Sequence, residues 1–359
     1  MLVVRAIRED DLEGLLALAQ QTGGGMTTLK PDRKALSERI EIACASFARQ
    51  IAPLQRDYLF VMEDLDRRRL AGVCAIKSAV GLDEPFYNYR LGTLAHYSRE
   101  LRIMSRLDTL YLSNDLTGSA ELCSLFLHAD YRGGSNGRLL SKSRMLFMAQ
   151  FPELFPAHLF AEMRGFQHAD GSSPFWDSLG RHFFNMEFEE ADALSSPGRK
   201  AFIAELMPRY PLYVTYLSPE AQAAIGRVHE ATVPARRLLE EEGLHYETLV
   251  DIFDGGPVLQ ARVSELRAVR DSVLCAVAAA PAAPAMPADA GMAPLLVSTT
   301  RLQDFRVIVA QAALPAGAAG IALDDEQRRA LGCGVQAQVR ALALHPALTQ
   351  RPPAAAASA

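Results

Sequence analysis

Two hydrophobic periods divide the chain. Leu2-Val3-Val4-Arg5-Ala6-Ile7 is a short, mostly apolar run that predicts a strand, and Arg8-Glu9-Asp10-Asp11 then opens a helix on Leu12, Leu15, Leu16 and Ala19. Gly23-Gly24-Gly25 ends that helix and leads into Met26-Thr27-Thr28-Leu29, after which an amphipathic stretch runs from Lys34 to about Ile51. Tyr58–Glu63, Leu70–Ser78, Leu110–Leu112 and Phe160-Ala161-Glu162 read as strands. Glu121–Ala129 is apolar on both faces, which predicts a strand in the middle of its sheet. Ala221–Ala231 reads as a helix, and mixed α/β patterning continues to Asp254-Gly255-Gly256-Pro257. Beyond that point Val258–Val263, Leu295–Ser298, Arg306–Ala310 and Val335–Leu344 predict short strands of a small β subdomain. Ser272–Ala288 is broken by Pro281, Pro284 and Pro287 and reads as a linker, and the Pro/Ala tail from Arg351 reads as disordered.

The 359 residues allow two domains, or one enlarged domain with an appendage, at about 100–200 residues per domain. With 37 Lys+Arg against 42 Asp+Glu, the net charge of −5 supplies no basic field, so nucleic acid is not an expected partner. The balance of 49% hydrophobic and 22% charged residues is that of a soluble globular protein. Arg5, Arg8, Glu9, Asp10 and Asp11 interrupt any signal-peptide core, and the Ala/Pro stretch is too interrupted to span a bilayer. The five scattered cysteines form no CxxC pair, so neither a disulfide framework nor a metal site is expected and a cytoplasmic location is.

The chemistry concentrates where the strand Leu122–Leu127 runs into Tyr131-Arg132-Gly133-Gly134-Ser135-Asn136-Gly137-Arg138 and then into a helix. Strand, glycine-rich turn and helix in that order aim several backbone N–H groups and the positive end of a helix dipole at one spot, a cradle for a pyrophosphate. Glycines let the phosphate touch the backbone, and Arg132, Arg138 and Lys142 add charge nearby. The glycine spacing is not that of a dinucleotide fingerprint, and Gly-Lys-Ser/Thr of a P-loop is missing. A lone glycine cluster is more often a simple connection; here the flanking elements favour the cradle.

The segment resembles the acyl-CoA loop of the GNAT acyltransferase superfamily, Arg/Gln-x-x-Gly-x-Gly/Ala, with Arg132 and Gly137 at its ends and Ser135 where the middle glycine is usual. Arg5 with Asp10/Asp11, and Ser173-Pro-Phe-Trp176-Asp-Ser-Leu-Gly180, fit the same superfamily, Trp176 standing near where many members keep a tyrosine that protonates the leaving thiolate. Longer words sharpen the match. Gly23-Gly-Gly-Met-Thr-Thr-Leu29, Pro85-Phe-Tyr-Asn-Tyr-Arg90, Asn114-Asp-Leu-Thr-Gly118, Glu121-Leu-Cys-Ser-Leu-Phe-Leu127, Ala161-Glu-Met-Arg-Gly165, Met207-Pro-Arg-Tyr-Pro-Leu-Tyr213 and Phe253-Asp-Gly-Gly-Pro257 together resemble the arginine N-succinyltransferase family.

That resemblance implies an α+β, GNAT-like acyl-CoA N-acyltransferase fold with an extra C-terminal all-β subdomain. The acyltransferase region is expected over residues 1–255, with the CoA loop at 131–138. The β subdomain is expected over 256–345, interrupted by the linker at 276–294, with a disordered tail over 346–359. It implies transfer of succinyl from succinyl-CoA, as cosubstrate and with no prosthetic group, to the α-amine of L-arginine. The succinyl-CoA contact on the central strand falls on Leu125, and the acid/base histidine on His229. The CoA loop contributes Arg132, Gly133, Gly134, Ser135, Asn136 and Gly137. Glu121 is the rival base, and Arg90 or Arg164 are candidates to hold a carboxylate. Ornithine or another basic amine as acceptor, or a CoA-binding subunit without activity, are the competing readings. The family also implies a homo-oligomer, or a hetero-oligomer with a paralogous subunit.

Overall fold

The computed structural model describes residues 1–22, 26, 28–194, 206–208, 210–279, 292–314 and 320–346. In chain order the first half contains β1 (Leu2–Ala6), α1 (Leu12–Ala19), α2 (Arg33–Phe47), β2 (Asp57–Asp64), β3 (Arg69–Lys77), β4 (Asn88–Ser98), β5 (Ile103–Ser113), β6 (Ala120–Leu127), α3 (Asn136–Gln150) and β7 (His158–Glu162). The second half contains α4 (Pro174–Ser178), α5 (Gly180–Phe184), α6 (Phe188–Leu194), β8 (Leu212–Tyr213), α7 (Pro219–Ala224), α8 (Val233–Glu241), β9 (His245–Val250) and β10 (Pro257–Arg262). Then follow α9 (Arg267–Asp271), β11 (Val273–Ala279), β12 (Ala293–Thr299), β13 (Arg306–Ala312), β14 (Ile321–Leu323), α10 (Asp325–Leu331) and β15 (Gln338–Ala343).

The strands form one mixed sheet in the order β14-β11-β15-β12-β13-β1-β2-β3-β6-β7-β10-β9-β4-β5-β8. β6 is central, as its two-sided apolar pattern predicts, pairing antiparallel with β3 and parallel with β7. Alternation along β2 divides the core between two faces. Leu59 and Val61 pack with Leu15, Leu18 and Ile40 of α1 and α2, while Phe60 and Met62 pack with Leu139, Leu140 and Phe147 on the α3 side. α2 starts where Asp32 accepts the N–H groups of Lys34 (2.9 Å) and Ala35 (3.0 Å), a side-chain cap that replaces missing intrahelical partners. The Arg5 guanidinium grips the Asp11 carboxylate in bidentate fashion (2.7 and 2.8 Å), both buried, and fixes the β1–α1 connection.

The later strands extend the sheet from β1, through Val4↔Val307 of the antiparallel β1–β13 pair, and carry the short helix α10. The strand read at Val258–Val263 forms as β10, but it lies between β7 and β9, on the far side of the central strand β6 from the later strands. Most of the Ala/Pro linker and the tail lie outside the described residues; the linker's ends, at Ala276–Ala279 and Ala293–Pro294, are strand. Among the described residues no helix is long and apolar enough to cross a membrane, and no group of three or more His, Cys, Asp or Glu is placed to hold a metal.

Candidate active site

The parity of β6 breaks at Ser124. Leu122 and Leu125 both pack toward α3 although three residues apart, whereas a regular strand would put them on opposite faces. The β3–β6 register shows why: Val73 faces Phe126 and Ala75 faces Cys123, so Cys74 opposes both Ser124 and Leu125. This is a β-bulge, and Ser124 takes φ +54°, a left-handed conformation disfavoured for a residue with a Cβ. Two arginines hold the bulge from opposite faces. Arg39 of α2 donates to Ser124 Oγ (2.9 Å) while its Nε binds Asp57 (2.8 Å). Buried Arg144 of α3 donates to the Cys123 carbonyl (3.4 Å).

β6 pairs β7 only at Ala120↔Leu159 and Glu121↔Phe160 and then diverges from it. The gap that opens beyond Glu121 is bordered by Leu125 and leads to the glycine-rich turn. There Gly133 (φ +106°) and Gly134 (φ +54°) adopt backbone angles suited to glycine, and a Cβ built on Gly133, Gly134 or Gly137 would meet no protein atom within 4 Å. The turn is therefore open to a ligand. Ser135 caps α3 through its carbonyl, which accepts the Leu139 N–H (2.8 Å), and Asn136 donates to the Tyr131 carbonyl (3.0 Å). The first N–H groups of α3 are left for an anion.

The expected basic supplement is smaller than the sequence implies. Arg132 is exposed and donates to the Leu127 carbonyl (3.2 Å). Arg138 instead binds Glu241, and fully buried Lys142 binds Glu241 (2.8 Å), Glu242 (3.0 Å) and the Leu344 carbonyl (3.0 Å). Those two cations join α3 to the end of α8, because a buried ammonium needs its counter-charges close by.

His229 does not lie in a helix: α7 stops at Ala224, and His229 follows an extended segment that bridges Val228 to Gly165. Its N–H donates to the Arg164 carbonyl (2.9 Å), so it is fixed to the chain leaving β7, the strand from which β6 diverges. Two of the sequence words meet to build this perch. The Asp254 carboxylate accepts the N–H of Gly165 (2.6 Å) and of Gly256 (2.8 Å), and a Cβ on Gly165 would sit 2.5 Å from Asp254. His229 Nδ1 accepts the Ala231 N–H (3.1 Å), which leaves Nε2 as the nitrogen that carries the proton in the neutral ring. Burial, aided by the Arg164 guanidinium, holds the imidazole below the usual histidine value.

Other expected participants are elsewhere. Trp176 is fully buried, stacks on Phe184 and donates to the Met186 carbonyl (3.0 Å), so it is a core residue. Arg90 pairs with Asp115 beside a separate cavity, and Arg164 is held by Gln167. Burial pushes the Cys74 and Cys123 thiols up to about 11, which removes them as nucleophiles near neutral pH. A cavity of about 490 Å³ opens on the α2 face beside β6, lined by Thr28, Ile42, Lys77, Phe86, Glu121 and Glu162 among others. Nothing in the local spacing announces it, since its walls come from six separate segments.

The family described as Arginine N-succinyltransferase beta subunit matches residues 2–268, and its C-terminal domain matches residues 278–343. The chain belongs to the arginine N-succinyltransferase family. It is 50% identical over 310 residues to the Arginine N-succinyltransferase of Enterobacter sp. (strain 638), covering 86% of this chain and 88% of that protein. It is 46% identical over 344 residues to the Escherichia coli (strain 55989 / EAEC) protein of the same name, covering 96% and 98%. The solved structure of arginine/ornithine succinyltransferase subunit AI from Pseudomonas aeruginosa superposes with a TM-score of 0.86 at 35% identity, covering 96% of this chain and 99% of that one. The α+β architecture described above, with its large mixed sheet and added C-terminal strands, is that of an acyltransferase of this family.

Proposed function

We propose that this arginine N-succinyltransferase moves succinyl from succinyl-CoA to the α-amine of L-arginine by direct attack, giving N-succinylarginine and CoA. The observation that carries the reading is the bulge at Ser124-Leu125, where β6 parts from β7 ahead of a ligand-accessible glycine turn, together with the anchoring of His229 to the chain leaving β7. The turn of Arg132 to Gly137 and the start of α3 take the CoA pyrophosphate. The Leu125 main-chain N–H, at the diverging edge of β6, donates to the thioester carbonyl and stabilises its developing oxyanion.

An α-amine has a pKa of about 8, so it must lose a proton before or during attack. As the C–N bond forms and the C–S bond breaks, one proton leaves nitrogen and one arrives at sulfur. His229 hydrogen-bonds the departing sulfur through Nε2–H, and the sulfur takes up the proton released from the attacking nitrogen, so the ring ends the cycle in the protonation state in which it began. Acyl-enzyme chemistry is unnecessary, in keeping with the unreactive buried thiols. All five cysteines are free, which agrees with a cytoplasmic setting. The descriptions of the family as a beta subunit and of the Pseudomonas protein as subunit AI support work in an assembly, with further copies or a paralogous chain.

The test is thiol release from succinyl-CoA with L-arginine, L-ornithine and L-lysine as acceptors, and from acetyl-CoA with L-arginine. Arginine-dependent release with succinyl-CoA preferred is expected; none from this chain, alone or with a paralogous subunit, refutes the reading. His229→Ala should lose about 10²–10⁴ in kcat with succinyl-CoA affinity retained.

A further inference from the structure

Lys77 of β3 and Glu121 of β6 face each other in register and line the cavity on the α2 face. Their charged ends stand 3.8 Å apart, an ion pair just beyond hydrogen-bond reach. Neither side chain makes a hydrogen bond among the described residues. Glu121 is only 6% exposed, and a carboxylate at that depth normally has hydrogen-bond donors around it. Arg39 and Asp57 nearby are, by contrast, satisfied by each other. The pair is thus an ammonium and a carboxylate held side by side with donors and acceptors unused.

An α-amino acid presents the inverse pattern, a carboxylate and an ammonium on one carbon. We propose that the Lys77–Glu121 pair is the receptor for the head group of the acceptor amino acid, Lys77 taking its carboxylate and Glu121 its ammonium. The proposal rests on the arginine-transfer reading and deepens it. The proximity of Glu121 raises the Lys77 ammonium above its ordinary value and keeps it protonated. Glu121 lies four residues before Leu125 on β6, at the point where β6 and β7 part, so a head group held there meets the thioester through the gap. Asp83, Glu84 and Glu162 line the same cavity and outnumber Arg56, which suits a cationic side chain on the acceptor.

The experiment compares L-arginine with L-argininamide, which keeps the α-amine and guanidinium but lacks the carboxylate charge. In the unaltered protein argininamide should have a kcat/KM lower by about tenfold or more, the scale of one charge-assisted hydrogen bond. Lys77→Met should lower kcat/KM for arginine by a similar factor and change argininamide by less than about threefold, with KM for succinyl-CoA constant. Lys77→Arg, which keeps the charge, should retain most of the preference for arginine and serves if the methionine variant does not fold. Equal loss for both acceptors in either variant, or no preference for arginine in the unaltered protein, overturns the proposal while leaving the transferase reading intact. Absence of acceptor-dependent thiol release from the unaltered protein refutes that reading instead.

Discussion

The Lys142 ammonium of α3 and the Glu242 carboxylate just after α8 meet at 3.0 Å, both with no solvent exposure. Arg267 of α9 closes on the same carboxylate at 2.7 and 3.0 Å and reaches the Ala343 carbonyl of β15. The helix that begins at the glycine-rich turn, the helix that follows His229 and the C-terminal strands are thereby joined through one buried carboxylate. Removing one charge leaves the others desolvated and unmatched, so Glu242→Gln should destabilise the fold by about 3–5 kcal/mol. Denaturant unfolding measures it. The Lys142→Met/Glu242→Gln pair should cost less than the sum of the two single changes, because the partners interact directly.

Gly137 separates ligand binding from folding. It lies in the first turn of α3, and a Cβ there meets nothing within 4 Å. Alanine is favoured over glycine inside a helix by up to about 1 kcal/mol. Gly137→Ala should therefore leave thermal stability unchanged or raised, yet increase KM for succinyl-CoA if the turn holds the pyrophosphate. A melting curve and a CoA titration on the same preparation give both readouts, and unaltered CoA binding would remove Gly137 from the cradle.

The proposed oxyanion donor is a backbone group, so side-chain deletion should spare it. Leu125→Ala keeps the N–H and loses only part of a half-buried side chain. Leu125→Pro removes the N–H. Loss of one such donor typically costs about 10²–10³ in kcat. The proline variant should fall by that factor relative to the alanine variant, with CoA affinity reporting that the turn survives. Equal rates in the two variants would exclude the Leu125 N–H.

Much of this arrangement is legible in the chain. The apolar run around Leu122–Leu127 identifies the central strand, and Arg132–Gly137 gives the turn and the helix start, because period and glycine placement are local signals. The bulge is not local. It follows from the register between β3 and β6, and it is contacted by Arg39 at Ser124 and by Arg144 at the Cys123 carbonyl, residues of two distant helices. Likewise the helical periodicity of Ala221–Ala231 is cut at Ala224, where Gly226 turns with φ +72° and Val228 bridges to Gly165. Arg138 and Lys142 look like phosphate ligands from spacing alone; their partners Glu241 and Glu242 lie about 100 residues away. The long β4–β5 hairpin shows only Leu110–Leu112 to a sequence reader, since its outer half is exposed and lacks an apolar stripe.

The environment of His229 sets the direction of the pH response. Burial and then the Arg164 guanidinium disfavour the imidazolium, so the ring stays neutral to a lower pH than an ordinary histidine with a value of about 6.5. Protonation would also place a proton on Nδ1 opposite the Ala231 N–H that it now accepts. If the neutral ring with Nε2–H is the working form, kcat should hold steady through pH 6.5 and fall only as the pH drops through the depressed value. Arg164→Gln removes one of the two causes, so the acid limb should move upward toward the ordinary histidine value. The Arg164 carbonyl that anchors the His229 N–H is unaffected by that change. A kcat–pH profile at saturating succinyl-CoA and arginine isolates groups of the complex from the ionisation of free arginine. A limb that stays in place in Arg164→Gln, or moves to lower pH, would show that His229 does not set the acid side of the reaction.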